Sequence, residues 1–201
     1  MNKKNIISIF AIFAIGLSVF IILYAFKKPI EKTTIHINAI LPQISQEELI
    51  NQSDGVIVGI VKDLKVLKTS SSVRPNEEDI VTNATIVVEK YISNPKNLSD
   101  KEITVQTIGG TIGNETMTAE ESPTFKIGEK VIVALKKRND SNNVFTIYGW
   151  AFGKYTVDSN DNIGNEKESV YFNTVFGKKM NFDEFEKEIE TIKNNKSTKI
   201  N

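Results

Sequence analysis

Gly55-Val56-Ile57-Val58-Gly59-Ile60-Val61 is the stretch on which the fold turns. It is apolar on both faces, which suits a central strand or one wall of a small barrel, and Leu64, Val66 and Leu67 continue it. Gly59 in its middle marks a bend or a close approach of another backbone. Downstream the period-2 pattern recurs. Residues 81–92 place Ala84, Ile86 and Val88 on one face and Thr85, Glu89 and Tyr91 on the other, and Asn94-Pro95 closes the strand. Residues 102–108 turn Ile103 and Val105 inward, with Thr104 and Gln106 outward, before Gly109-Gly110. Between the first two strands lies a polar loop, residues 69–79.

Residues 111–124 are polar and acidic, carrying Glu115, Glu120 and Glu121, and read as an excursion loop of the kind that carries function. A turn at Lys126-Ile127-Gly128-Glu129 launches a fourth strand, residues 130–135. The basic run 136–138 and residues 139–143 connect it to a fifth, residues 144–150. Short strands are expected at 154–158 and 169–172. Two helices flank the strands. Ser45 with Glu48 three residues on is a capping-box pattern opening residues 46–52, with Leu49 and Ile50 facing the core. Asn181 with Glu184 opens the C-terminal helix, whose Phe182, Phe185, Ile189 and Ile192 form one apolar stripe.

Upstream, Lys3 and Lys4 precede an uncharged apolar run, residues 6–26, followed by Lys27 and Lys28. A helix of about 21 residues covers roughly the 30 Å of a bilayer's hydrocarbon core, so the run reads as a single transmembrane anchor. It is too long for the apolar core of a cleaved secretory signal, and the best cleavage position, after Ala25, has Leu23 where a small residue is needed. Flanking lysines balance across the span and leave orientation open. A short N-terminal tail and the absence of cysteine favour a C-terminal domain outside the cytoplasm, where a stray thiol would oxidise. The expected organisation is therefore an anchor (1–28), a tether (29–44), an extracytoplasmic domain (45–193) and a polar tail (194–201).

Beyond the apolar run 6–26, 25 acidic residues face 23 basic ones. Such balance argues against a nucleic-acid binder, which needs a basic face to displace phosphate counterions. With no cysteine, disulfides, thiolate zinc sites and thiol catalysis are excluded together.

No catalytic constellation, metal site or cofactor motif is expected. The single histidine, His36, lies in the tether with no acid, serine or second histidine near it in sequence. Gly109-Gly110-Thr111-Ile112-Gly113 lacks the Lys-Ser/Thr of a phosphate loop and reads as a turn. The carboxylates around Glu115 to Glu121 and around Asp158 to Asp161 do not reproduce an EF-hand ladder and read as solvated loops. Tyr148, Trp150, Phe152 and Tyr155 fall within eight positions beside Gly149 and Gly153. Aromatics in a small barrel close the core more often than they bind, yet this cluster is the first choice for a ligand or partner surface, with Thr111 and Glu115 from the loop after Gly110.

The order of Gly59-Ile60-Val61, Val87-Val88-Glu89-Lys90-Tyr91, Ile103-Thr104-Val105, Gly109-Gly110 and Phe125-Lys126-Ile127-Gly128-Glu129 resembles a group of uncharacterised secreted or anchored bacterial and archaeal domains. More distantly it is similar to the OB-like barrel of tissue inhibitors of metalloproteases and netrin modules. The resemblance covers roughly residues 45–157 and implies a mainly β fold, a five-stranded OB-like barrel with helical additions. Those inhibitors chelate the protease metal through an N-terminal cysteine, absent here, so that mechanism is not implied.

The functional expectation is a membrane-tethered binding domain for a protein or an envelope component, with no enzymatic role. Two alternatives remain open: a hydrolase of envelope polymers working through Glu115, Glu120 and Glu121, or a scaffold subunit of a membrane assembly.

Overall fold

The computed structural model describes residues 32–38, 44–71, 73–139, 143–164 and 180–199. The anchor at 6–26 and the strand expected at 169–172 lie outside the described residues, as do parts of the tether and of the 139–143 connection. Among the described residues no helix is long and apolar enough to cross a membrane. The chain divides into two units, Met1–Lys32 and Thr33–Asn201, and the second is described below.

The second unit is mainly β with two helices. β1 (Thr33–Ile37) precedes α1 (Gln46–Gln52), then β2 (Gly55–Ser70), β3 (Glu78–Ser93), β4 (Glu102–Ile108), β5 (Gly110–Ile112) and β6 (Glu115–Ala119). β7 (Lys130–Lys137), β8 (Val144–Ile147), a 3₁₀ turn (Trp150–Gly153), β9 (Lys154–Val157), β10 (Ile163–Gly164) and α2 (Phe182–Lys199) follow. β2 pairs antiparallel with β3 and β7, and β3 with β4. β4 pairs in parallel with β8, which pairs antiparallel with β7. The hydrogen-bonded order therefore runs β7-β2-β3-β4-β8 and returns to β7. β9 and β10 extend it from β7.

The two-faced apolar run in β2 follows from this arrangement. Ile57 and Val61 join Ala84, Ile86, Ile103, Val105, Val131, Val133, Leu135 and Phe145 in an inner cluster. Val56 and Val58 point the other way, into an outer cluster with Leu49 and Ile50 of α1 and Phe185 and Ile189 of α2. Each such fully buried side chain contributes about 1.5–3 kcal/mol, so both faces of β2 are strongly held. Gly59 sits at a register shift, where an added Cβ would lie 2.4 Å from the Val87 carbonyl oxygen. Only glycine lets the two backbones approach that closely.

Further shifts in the β2–β3 ladder alter one facing assignment. Val58 pairs with Lys90 and Gly59 with Val88, so Glu89 is bulged out of register. Beyond the bulge the alternation inverts. Tyr91, expected on the face opposite Val88, packs with Val88 against the inner cluster.

The helix starts behave as capping chemistry dictates. Ser45 Oγ accepts from Glu48 N (3.1 Å), while the Glu48 side chain accepts from Tyr148 Oη (3.4 Å). At α2 the box is reciprocal: Asn181 Oδ1 accepts from Glu184 N (3.0 Å) and Glu184 Oε2 from Asn181 N (3.2 Å).

Three expectations change. The tether contains a strand, β1, and the excursion loop contains two, β5 and β6, which form a separate sheet in the order β1-β6-β5 with β1 parallel to β6. The fifth strand stops at Ile147 rather than Trp150, because Gly149 and Trp150 both take positive φ (77° and 53°) and turn the chain out of the ladder. Around the five strands of the ring stand five further ones among the described residues, of which the sequence predicts β9, at 154–158, but not β1, β5, β6 or β10.

Candidate binding site

The site arises where the ring opens. β4 and β8 pair only at Thr104 with Val144 and Val105 with Phe145. Beyond that point both strands continue while their ladder ends. In the wedge, Gln106, Thr107 and Ile108 of β4 face Thr146 and Ile147 of β8 across a cavity of about 210 Å³. Asp79, Ser122, Arg138 and Trp150 complete its functional lining.

Trp150 reaches the cavity through a strained turn. Tyr148 N donates to Ala134 O (2.8 Å), holding the end of β8 against β7, and Phe152 N donates to Gly149 O (3.0 Å). Gly153 lies so near Tyr148 that an added Cβ would come within 2.0 Å of its carbonyl oxygen. Within this loop Trp150 has φ 53°. The other described non-glycine residues with positive φ are Asn76, Asn97, Asn143 and Asp161, types whose short polar side chains tolerate the left-handed region. A tryptophan there carries backbone strain of about 1–2 kcal/mol. The residue remains 38 % exposed.

The polar lining is held by a second tier of contacts. Arg138 N donates to Val144 O (3.1 Å), and its guanidinium donates to Gln106 Oε1. Gln106 Nε2 donates in turn to Asn83 Oδ1 (2.8 Å) on the adjacent strand. Asp79 is buried, and Arg74 Nη2 donates to its Oδ1 (2.5 Å) while Arg74 Nη1 pairs with Glu77 (2.6 Å). Asp79 is the carboxylate among the described residues lining this cavity, and its charge is balanced by Arg74.

Two neighbouring cavities continue the surface. One, of about 400 Å³, separates the β5–β6 hairpin from β2, β3 and β4, with Val66, Thr82, Thr111 and Met117 on its walls. The other, of about 350 Å³, is bordered by His36, Thr118 and Glu120. Ser122 lines all three and is itself buried. Its N–H donates to Ala119 O (3.1 Å), and its hydroxyl has no partner among the described residues.

The sequence candidates do not converge. Phe152 and Tyr155 belong to the outer core, where the Tyr155 ring packs tilted against Phe185 at 5.6 Å between centres and burial pushes its phenol well above the ordinary value. Tyr148 packs beside that core, with Lys136 Nζ 5.8 Å from its ring centre; burial and then the Glu48 carboxylate raise its pKa. Thr111 lines the hairpin cavity, while Glu115 pairs with Lys68 (2.6 Å) away from all three. Of the four aromatics, Trp150 borders the wedge.

His36, isolated in the sequence, bonds through Nδ1 to Thr118 Oγ1 (2.8 Å), a partner 82 positions away that β1–β6 pairing supplies. Gln106, Arg138, Asp79 and Ser122 carry no local motif. Arg138 reads only as the end of a basic run, and Asp79 as the edge of a loop. The Asp158 carboxylate accepts from Asn160 N (2.8 Å) and from Asn162 N (2.9 Å) and its side chain, so it caps its own loop.

No protein-family model matches the chain, and no curated protein matches it.

Proposed function

We propose that this chain is a membrane-tethered, extracytoplasmic binding domain. Residues 6–26 anchor it, and the five strands β7-β2-β3-β4-β8 form an OB-like barrel that presents the wedge between β4 and β8 to a protein or envelope component. The carrying observation is Trp150: a large aromatic at φ 53°, part-exposed on a cavity of mixed polar and apolar lining. Glycine or asparagine would relieve the backbone there, so the indole is retained for what it touches rather than for the turn. The hydrolase alternative requires two facing carboxylates. Asp79 is the carboxylate among the described lining of this cavity, and Glu115 is engaged with Lys68.

The test is photocrosslinking from position 150 of the full chain in its native membranes, with position 127 on an exposed turn as the control. Capture from 150 and not from 127 supports the reading. Equal capture, or none, defeats it.

A further inference from the structure

We infer that the Trp150 cavity is a saccharide subsite that takes one ring of a neutral glycan, an inference that rests on the binding function proposed above. Its chemistry is that of a polyhydroxylated ring with an apolar face. Trp150, part-exposed on the cavity, offers a flat apolar surface on which the C–H face of a sugar stacks. Asp79 supplies the acceptor. It is 4 % exposed, its Oδ1 is fixed by Arg74 at 2.5 Å, and its Oδ2 has no partner among the described residues. An ionised carboxylate has room for several donors, and its hydrogen bonds to hydroxyls are charge-assisted.

Donors stand on the same cavity. The Arg138 guanidinium, the Gln106 amide and the Ser122 hydroxyl line it, with the first two held in one hydrogen-bonded chain that ends on Asn83.

Charge selects a neutral ligand. Asp79 is already paired with Arg74 and the Arg138 guanidinium is engaged with Gln106, so the lining offers hydrogen-bonding groups rather than a free charge for an ion. An apolar peptide side chain would make no hydrogen bonds to Asp79 and Ser122 on the cavity wall. A sugar ring satisfies donors and acceptor together. The cavity, about 210 Å³, admits one ring, and Thr107, Ile108, Ser122 and Pro123 carry its lining into the hairpin cavity, where a second unit of an oligomer would lie.

Trp150 is the only tryptophan in the sequence, so its emission reports on this site alone. The full chain in detergent micelles is titrated with uncharged tetrasaccharides of glucose, mannose and N-acetylglucosamine, and separately with uncharged tetrapeptides. A saturable emission change with at least one saccharide, weakened tenfold or more in both Asp79→Asn and Gln106→Leu and unaltered in Glu115→Gln, is the expected result. Gln106→Leu guards against Asp79→Asn failing to fold, and far-UV circular dichroism checks both. A saccharide response that survives both substitutions overturns the subsite. A response to peptides only, or capture of a protein from position 150 with no saccharide response, overturns the saccharide inference and leaves the binding domain standing. No response to any probe together with empty crosslinking defeats both.

Discussion

Lys154 Nζ lies 3.0 Å from Glu129 Oε1 with the lysine side chain 1 % exposed, an ion pair sealed between the start of β9 and the turn before β7. The ammonium also sits 5.1 Å from the centre of the Phe125 ring. Removing the carboxylate from such a pair is far more damaging than removing both charges, because a buried cation loses its counter-charge. Glu129→Ala is expected to destabilise by about 3–5 kcal/mol, and adding Lys154→Met to recover at least half of that. Urea denaturation of the two variants and the parent measures it; a double variant no better than the single one contradicts the pair's role.

Gly59 and Gly128 make a matched contrast. An alanine at 59 would press its Cβ 2.4 Å from Val87 O and 2.6 Å from Ile86 Cγ2, whereas at 128 it would meet nothing within 4 Å and face only a φ of 81°. Gly59→Ala should lower stability by about 2–3 kcal/mol through overpacking against backbone. Gly128→Ala should lower it by about 1 kcal/mol through left-handed strain alone. Equal denaturation midpoints for the two would contradict the bulge geometry.

Trp150 should separate stability from binding. Trp150→Gly relieves about 1–2 kcal/mol of backbone strain while giving up part of a half-exposed ring, so the net change is expected within about 1 kcal/mol. Phe152→Ala, two residues on and buried in the outer core, should cost about 3–5 kcal/mol. Thermal unfolding compares them, and crosslinking or titration reads the loss of binding that only the first should show without loss of fold.

Asp158 sets an acid-side dependence. The Asn162 N–H, the Asn162 side chain and the Asn160 N–H, in that order of weight, hold its carboxyl below the usual carboxylate range. A depressed folded-state pKa contributes stability that is fully present above the unfolded value of about 3.9 and is lost as pH falls through the folded one. Asp158→Asn should therefore remove that contribution near neutrality, flatten the stability profile below about pH 4 and converge with the parent in acid. Carboxyl chemical shifts followed by NMR give the titration directly, and a midpoint at or above the ordinary value would contradict it.

Much of the fold is legible in local pattern. The alternation in β3 and β4, the two-faced run in β2, the stops at Asn94-Pro95 and Gly109, and the Asn181 cap all arise from contacts within a few residues or from a face that must be buried. β1 and β6 were not legible for the same physical reason. Thr33–Ile37 is short and buries none of its residues fully, and Glu115–Ala119 buries only Met117 fully, so their local signal is weak and pairing of β1 with β6 and of β6 with β5 makes them strands. The Tyr91 facing failed because a one-residue bulge inverts alternation, and a bulge is set by the partner strand.

The candidate site divides the same way. The sequence alone determined a mainly β chain with two capped helices, a lone histidine, an aromatic group around Gly149 and an apolar run long enough to span a bilayer, because composition and short-range periodicity encode these. Only the tertiary structure decided which aromatic faces a cavity and which fill the core. It also decided that Asp79, Gln106, Ser122, Arg138 and Trp150 share one cavity. They lie on separate elements, and what joins them is the place where the parallel β4–β8 ladder ends, a property of how the strands pair round the ring rather than of any one of them.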